Sequence, residues 1–251
     1  MSSTQRFSDR VLNYVKYRPG YPKEVLDFLT TTTGLTPSWK IADLGSGTGI
    51  STVLFLDNGN TVYAVEPNEP MRKKAEEILG ARSNFISIDG TAEHTTLASS
   101  SIDLIIAGQA FHWFEPVATK KECMRILRPG GSIALLWNER QKHSAFEKAY
   151  EELLLAFGSD YQQVNHSNIT EKELSAFFAP APFALKASDN RQSFDWQRLE
   201  GRFLSSSYIP LEQNDTYKEM MRRLKDIFDT WQQDGKVCFD YQTKLYVATY
   251  P

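Results

Sequence analysis

From Pro22 to Trp137 the spacing of apolar and polar positions switches repeatedly between helical and strand periods. Val25, Leu26, Phe28 and Leu29 follow a Pro-Gly-Tyr-Pro turn at helical spacing and predict a helix from Glu24 to Thr30. Lys40 to Leu44 is a short apolar run ended by glycines, which reads as a buried strand. The same alternation continues with a helix from Gly49 to Asp57, a strand from Thr61 to Glu66, an amphipathic helix from Pro70 to Leu79 closed by Gly80, and a strand from Asn84 to Ile88. After the serines at 99–101 come a strand from Ile102 to Ala107, a helix from Val117 to Leu127 stopped by Arg-Pro-Gly-Gly, and an almost wholly apolar strand from Ser132 to Trp137. Strands apolar on both faces, each followed by a helix, imply a parallel sheet covered on both sides. Right-handed crossovers then make it a doubly wound α/β fold.

Beyond Arg140 the pattern loosens. Helices are predicted over Ala145–Phe157, Glu171–Phe178, Trp196–Leu204 and Asp215–Gln233, and Phe183–Phe194 alternates weakly. Lys236 to Tyr250 alternates better and predicts a closing strand. With no internal repeat or low-complexity linker, the 251 residues read as a single domain. Within it, 36–140 is the ligand-binding core, 141–235 a mainly helical cap, and 236–250 the closing strand.

Composition narrows the function classes. The net charge is −3 and the pI is about 5.9, which argues against a nonspecific grip on nucleic acid. Cys123 and Cys238 form no CxxC pair, so neither a disulfide scaffold nor a zinc site is expected, and a reducing compartment suits them. The N-terminal stretch up to Gly20 holds no apolar core with a cleavage site, and no apolar run nears the roughly 18 residues of a membrane span. The expectation is a soluble, cytoplasmic protein without metal, nucleic-acid or membrane partners. Its oligomeric state is not legible.

The chemistry concentrates at Asp43-Leu44-Gly45-Ser46-Gly47-Thr48-Gly49, where the first strand turns into a helix. Glycines there let backbone lie against a ligand, and the helix start offers unpaired N–H groups. A dinucleotide site wants G-x-G-x-x-G, but Ile50 follows Gly49 and the pattern is G-x-G-x-G. Asp43 sits poorly beside a pyrophosphate and suits an ammonium group, such as the methionyl amine of S-adenosylmethionine. Glu66 ends the second strand, where a carboxylate accepts ribose hydroxyls, in NAD sites as well. Gly90-Thr91-Ala92-Glu93 follows the third strand, where an adenine edge would lie. Pro67 and Met71 are equally suited to flanking the base or to serving as turn and core residues.

Together with Glu66-Pro67-Asn68, the segment Gln109-Ala110-Phe111-His112-Trp113-Phe114 and the stop Leu127-Arg128-Pro129-Gly130-Gly131, these motifs resemble the class I S-adenosylmethionine-dependent methyltransferases, in the branch with trans-aconitate-type enzymes. Tyr17-Arg18-Pro19-Gly20-Tyr21-Pro22 and Ser206-Ser207-Tyr208 resemble that branch too. The resemblance implies a Rossmann-like seven-stranded sheet whose last strand is antiparallel, and S-adenosylhomocysteine as product. It implies that Asp43, Gly45 and Gly47 hold the methionyl end, with Ser46 and Gln109 also at the cofactor, Arg18 on the methionyl carboxylate and Glu66 on the ribose. Ala92 meets the adenine through its N–H. Relatives often carry Asp at the position of Thr91, which leaves the roles of Thr91 and Glu93 open.

His112 and Trp113 follow the fourth strand, at the sheet edge where ligands of open α/β folds bind. His112 is the candidate base where the acceptor must lose a proton, and otherwise orders the loop or donates to the cofactor. Tyr17, Trp113, Trp137 and Tyr208 are candidates for lining an acceptor cavity, with the structural core an equal reading for Trp137. The reading is methyl transfer to a small molecule, with O-methylation of a carboxylate or hydroxyl favoured. The alternatives are methylation of a macromolecule and a non-catalytic S-adenosylmethionine-binding protein.

Overall fold

A computed structural model describes residues 17–159, 161, 169–210 and 212–251. Helix α1 (Glu24–Thr33) precedes β1 (Lys40–Leu44), α2 (Ile50–Asp57), β2 (Thr61–Val65), α3 (Glu69–Leu79) and β3 (Phe85–Ile88). Then come β4 (Ile102–Gly108), a single 3-10 turn at Phe111–Trp113, α4 (Pro116–Ile126) and β5 (Leu127–Arg140). The remainder holds α5 (Ala145–Phe157), α6 (Glu171–Phe178), β6 (Ala184–Phe194), α7 (Trp196–Leu204), α8 (Tyr217–Trp231) and β7 (Val237–Thr249). The strands form one sheet in the order β3-β2-β1-β4-β5-β7-β6. Strands β1 to β5 pair in parallel, and β7 runs antiparallel to both β5 and β6. This is the Rossmann-like, doubly wound, seven-stranded sheet with its last strand reversed that the sequence implies.

Two-residue alternation gives the sheet two greasy faces. Ile41, Leu104, Ile106, Ala134 and Leu136 meet α1 and α2 through Val25, Leu29 and Phe55. Ala42, Leu44, Ile105, Ile133 and Leu135 meet α4 and α6 through Cys123, Ile126, Phe177 and Phe178. A third cluster stands apart: α5, α7 and α8 pack Tyr150, Leu154, Phe203 and Leu224 onto Phe194 of β6 and Phe239 of β7. At the start of α5, Ser144 and Glu147 form a reciprocal cap, and Glu147 Oε1 also accepts from the Asp240 N–H at 2.9 Å. That bond ties this helical group to β7.

Element limits differ from expectation in a few places. Strand β5 runs from Leu127 to Arg140 rather than over 132–137. Leu127 already pairs with Ile102, and β7 holds residues 132–140 in register. Helix α1 continues to Thr33, because Thr31 and Thr33 hydroxyls donate back to carbonyls one turn earlier and Gly34 ends it at φ 78°. Helix α8 is shorter than its pattern, since Gln233 and Lys236 pair in a tight turn beyond it. The weakly alternating 184–194 stretch is the outer strand of the main sheet, mostly exposed, so region 141–235 supplies a strand as well as helices. No helix among the described residues is long and apolar enough to cross a membrane, and no group of metal-ligating side chains gathers there.

Candidate active site

Strand order reverses at β1, whose neighbours are β2 and β4. Crossovers leave in opposite directions there, opening a crevice at the carboxyl ends of the strands. The glycine turn fills its floor. The N–H groups of Gly45 and Ser46 both donate to the Val65 carbonyl, at 2.9 and 3.1 Å, fixing the turn against β2. Gly45 holds φ +65°, and a Cβ there would stand 2.7 Å from Ala110 Cβ, so this position excludes a side chain. Behind it Gly49 starts α2, with φ +89°.

Two buried acids support this turn. Asp43 is fully buried; its Oδ2 accepts from Ser51 Oγ and Thr52 Oγ1, both at 2.7 Å, in the first turn of α2. Its Oδ1 has no partner, and neither do the buried hydroxyls of Ser46 and Thr48. Three buried oxygens around one turn thus have acceptor capacity to offer a polar ligand. Burial pushes the Asp43 carboxyl up to about 7, against the lowering effect of the Thr52 and Ser51 hydroxyls. The Glu66 carboxylate accepts from the Gly47 N–H at 2.8 Å and the Asn68 N–H at 2.7 Å, joining the glycine turn to the start of α3. Burial raises its pKa too, opposed by those two backbone bonds. Each oxygen takes one N–H and keeps a lone pair.

Beyond β3, Thr91 and His94 exchange backbone hydrogen bonds, and Thr91 Oγ1 also accepts from the His94 N–H at 3.2 Å. Glu93 Oε1 accepts from the Glu115 N–H at 2.9 Å. Ala92 is buried between them. Met71 is buried, and its Cε lies 3.5 Å from where a Cβ on Gly47 would be, so it stands beside the glycine turn. After β4, Gln109 takes φ +56° and donates from Nε2 to the Asn138 carbonyl at 3.0 Å. The chain then turns through Phe111–Trp113, where the His112 and Trp113 rings sit 4.8 Å apart.

A cavity of about 230 Å³ opens above these elements. Of the residues singled out from the sequence, Arg18, Gly45, Ser46, Gln109, His112, Trp113 and Tyr208 line it. Arg18 donates to Ser205 Oγ at 3.1 Å and to the Ser205 carbonyl at 3.3 Å, joining the floor to the end of α7. Asp43, Gly47, Glu66, Pro67, Met71, Thr91, Ala92 and Glu93 lie outside the lining.

Two aromatic candidates lie off the cavity, Trp137 by the core reading that its sequence left open and Tyr17 as a correction. Trp137 does not line the cavity: it is 4% exposed, in the core cluster, edge-on to Phe111 and Tyr246. Its place in β5 gives it the parity of Ile133 and Leu135, whose face α6 covers. Tyr17 is buried behind the wall, its ring packed where Gly201 leaves room on α7. Conversely, the sequence pattern does not reveal the far wall. Asn138, Arg140, Lys142, Tyr161, Arg202 and Tyr241 line the cavity from β5, the loop after it, the segment following α5, α7 and β7. The only local sign is Arg202 itself, a charge on the α7 stripe with Leu199 and Phe203.

A methyltransferase-domain family model matches residues 42–135, from β1 through most of β5. Residues 42–135 are a methyltransferase domain. An uncharacterized methyltransferase of Mycobacterium tuberculosis is 32% identical over 148 residues, 59% of this chain and 58% of that protein. The match thus spans a little under six-tenths of that relative's length. An uncharacterized methyltransferase of Schizosaccharomyces pombe is 26% identical over 96% of this chain and 95% of its own. Among solved structures, phosphoethanolamine N-methyltransferase 2 of Haemonchus contortus, in complex with phosphomonomethylethanolamine and S-adenosylhomocysteine, shares the fold. It superposes with TM-score 0.55 at 16% identity, covering all of this chain and 61% of that one. The methyltransferase domain carries the glycine turn, Glu66 and His112–Trp113, whereas Arg202, Tyr208 and Tyr241 lie beyond it.

Proposed function

We propose that the chain transfers the methyl group of S-adenosylmethionine to a small-molecule acceptor, with a carboxylate or hydroxyl oxygen as the favoured nucleophile. The observation that carries this reading is the cavity that runs from the glycine turn to His112 and Trp113, beside two buried acids with unused acceptor capacity. Within the shared fold, the Haemonchus contortus enzyme was crystallised with S-adenosylhomocysteine.

The residues fit that group. Glu66, already ordered by two N–H donors, accepts the vicinal ribose hydroxyls. The open Oδ1 of Asp43 and the hydroxyls of Ser46 and Thr48 offer acceptors to the methionyl ammonium, and Arg18 offers its guanidinium to the methionyl carboxylate. Pro67 and Met71 flank the adenine, and the Ala92 N–H donates to it. Thr91 and Glu93 hold their own turn and the start of α4, and each keeps acceptor capacity that the adenine amino group could use.

S-adenosylmethionine supplies an electrophilic methyl carbon on a sulfonium. The acceptor oxygen provides the electron pair of the new bond, and the pair of the broken C–S bond stays on sulfur. An ionised carboxylate needs no base, so positioning by Trp113, Tyr208 and Gln109 supplies most of the acceleration. A hydroxyl must lose its proton, and His112 is the imidazole lining the cavity to take it. The α5, α7 and α8 group serves as a cap that keeps water from the reacting atoms.

The test is transfer of labelled methyl from S-adenosylmethionine to a panel of small carboxylic acids and phenols, with products read by mass spectrometry. Methyl esters or ethers are expected. Label found only in protein or RNA would replace the small-molecule reading, and binding without transfer to any acceptor would make the chain a non-catalytic binder.

A further inference from the structure

Two buried arginines face the cavity, and their surroundings differ. Arg140 forms a salt bridge with Glu151, reaches the Tyr161 hydroxyl at 3.3 Å and stacks 4.7 Å above the Tyr150 ring. Its Nε lacks a partner, but its guanidinium has a carboxylate beside it, Glu151, which it shares with Lys142. Arg202 is 7% exposed, and its Nη1 donates to Ser206 Oγ at 3.1 Å. Its Nε has no partner, and no carboxylate among the described residues forms an ion pair with it. The tyrosines Tyr241, Tyr150 and Tyr208 surround it, and no hydrogen bond of ordinary geometry satisfies the buried Tyr241 hydroxyl.

A buried guanidinium without a counter-charge is costly, because water is gone and nothing charged replaces it. Arg202 also lines the cavity with Lys142, Arg140 and Arg18. We infer that Arg202 anchors a carboxylate of the methyl acceptor, and that the atom methylated is a different atom of the same molecule. The second half follows from charge. A carboxylate that is methylated loses its negative charge on the way to the transition state, so a guanidinium gripping it would stabilise the ground state more and slow the transfer. A remote carboxylate keeps its charge throughout, and its binding orients the reacting oxygen towards His112 and Trp113. The acceptor is therefore bifunctional: an anionic anchor at α7 and a nucleophilic oxygen near the sheet edge. This inference rests on the proposed methyl transfer.

The test is calorimetric titration of the protein loaded with S-adenosylhomocysteine. The probes are straight-chain dicarboxylic acids of four to six carbons, their neutral dimethyl esters, and inorganic phosphate. The acids are expected to bind at least tenfold more tightly than the esters or phosphate. Arg202→Met should lose that preference while its affinity for S-adenosylhomocysteine changes less than threefold; Arg202→Lys should keep part of it. Esters binding as well as acids in the wild type would overturn the inference even if the variants did not fold. Acid binding unchanged in Arg202→Met would overturn it too. Loss of S-adenosylhomocysteine binding in that variant would reassign Arg202 to the cofactor, and phosphate binding in place of the acids would overturn the carboxylate. Failure of the wild type to bind S-adenosylhomocysteine would instead bring down the cofactor reading.

Discussion

The arginine-bearing far wall of the cavity and the acidic layer behind its glycine turn are of opposite character, and they are built differently. On the glycine-turn side the buried charges are acids, Asp43 and Glu66, which end neighbouring strands and are held by hydroxyls of α2 and by nearby backbone N–H groups. On the far side they are the arginines Arg140 and Arg202, which come from well-separated parts of the chain and depend on α5, α7 and β7. A sulfonium cofactor with an ammonium group suits the first wall, and an anionic acceptor suits the second. On the proposed reading, the difference separates cofactor from acceptor by the sign of charge that Asp43 and Glu66 on one side and Arg202 on the other would receive.

The largest break in that comparison should come from Glu66→Ala. It removes the acceptor for two ribose hydroxyls and frees the Gly47 and Asn68 N–H groups. Loss of about 3 kcal/mol, or roughly 100-fold in affinity for S-adenosylhomocysteine, is expected by calorimetry. An unchanged affinity would remove Glu66 from the cofactor wall.

Trp137→Leu tests the boundary between wall and core. With its ring against Phe111 and Tyr246, the change should cost ~2 kcal/mol of stability in denaturant unfolding and leave the acceptor KM where it was. A shifted KM with intact stability would return Trp137 to the cavity.

Asp43 gives the cofactor wall a pH dependence. Its carboxyl titrates near 7 in the folded protein, raised by burial from 3.8. The uncharged form is thus the folded state's preference, so the stability this group contributes is fully present below pH 3.8 and is lost as pH rises towards 7. Binding an ammonium group pulls the other way, favouring the carboxylate. Affinity for S-adenosylmethionine should therefore rise up to about tenfold per pH unit below 7 and level off above it. Asp43→Asn, which keeps an oxygen for Ser51 and Thr52, should flatten the profile. A slope that survives in the variant would assign the titration to another group.

His112→Gln should have the smallest effect. With a carboxylate acceptor, kcat should stay within about threefold, while a fall of 10²- to 10⁴-fold would mark a nucleophile that needs a base.

The glycine-turn side was legible in the sequence as structure because its information is local. Glycines at Gly45, Gly47 and Gly49, with Asp43 just before them and Glu66 at the next strand end, stand at fixed offsets from two strands that the apolar pattern predicts within a residue. The arginine-bearing wall was not. Asn138 and Tyr241 come together only because β5 and β7 pair, with Asn138 opposite Thr243 and Arg140 opposite Tyr241. The choice between the two readings of Trp137 was hidden for a related reason. Alternation gives it the parity of Ile133 and Leu135, but the strand pattern does not say that α6, much later in the chain, covers that face. Arg202 shows one sign, a cation on the apolar stripe of α7, whose meaning depends on what the stripe faces.

Strand β7 also carries a consequence for the order of assembly. It lies between β5 and β6 and pairs with both, so the sheet cannot join its outer strand to the rest until residues 237–249 arrive. During synthesis the glycine turn, Glu66 and the parallel half can form from short-range contacts. The arginine wall waits for the most distant pairings, which carry the greatest loop-closure cost. A nascent chain therefore builds its two ligand walls at different times, and a chain stalled between them would leave Phe194 and the apolar face of α7 without the strand that seals them.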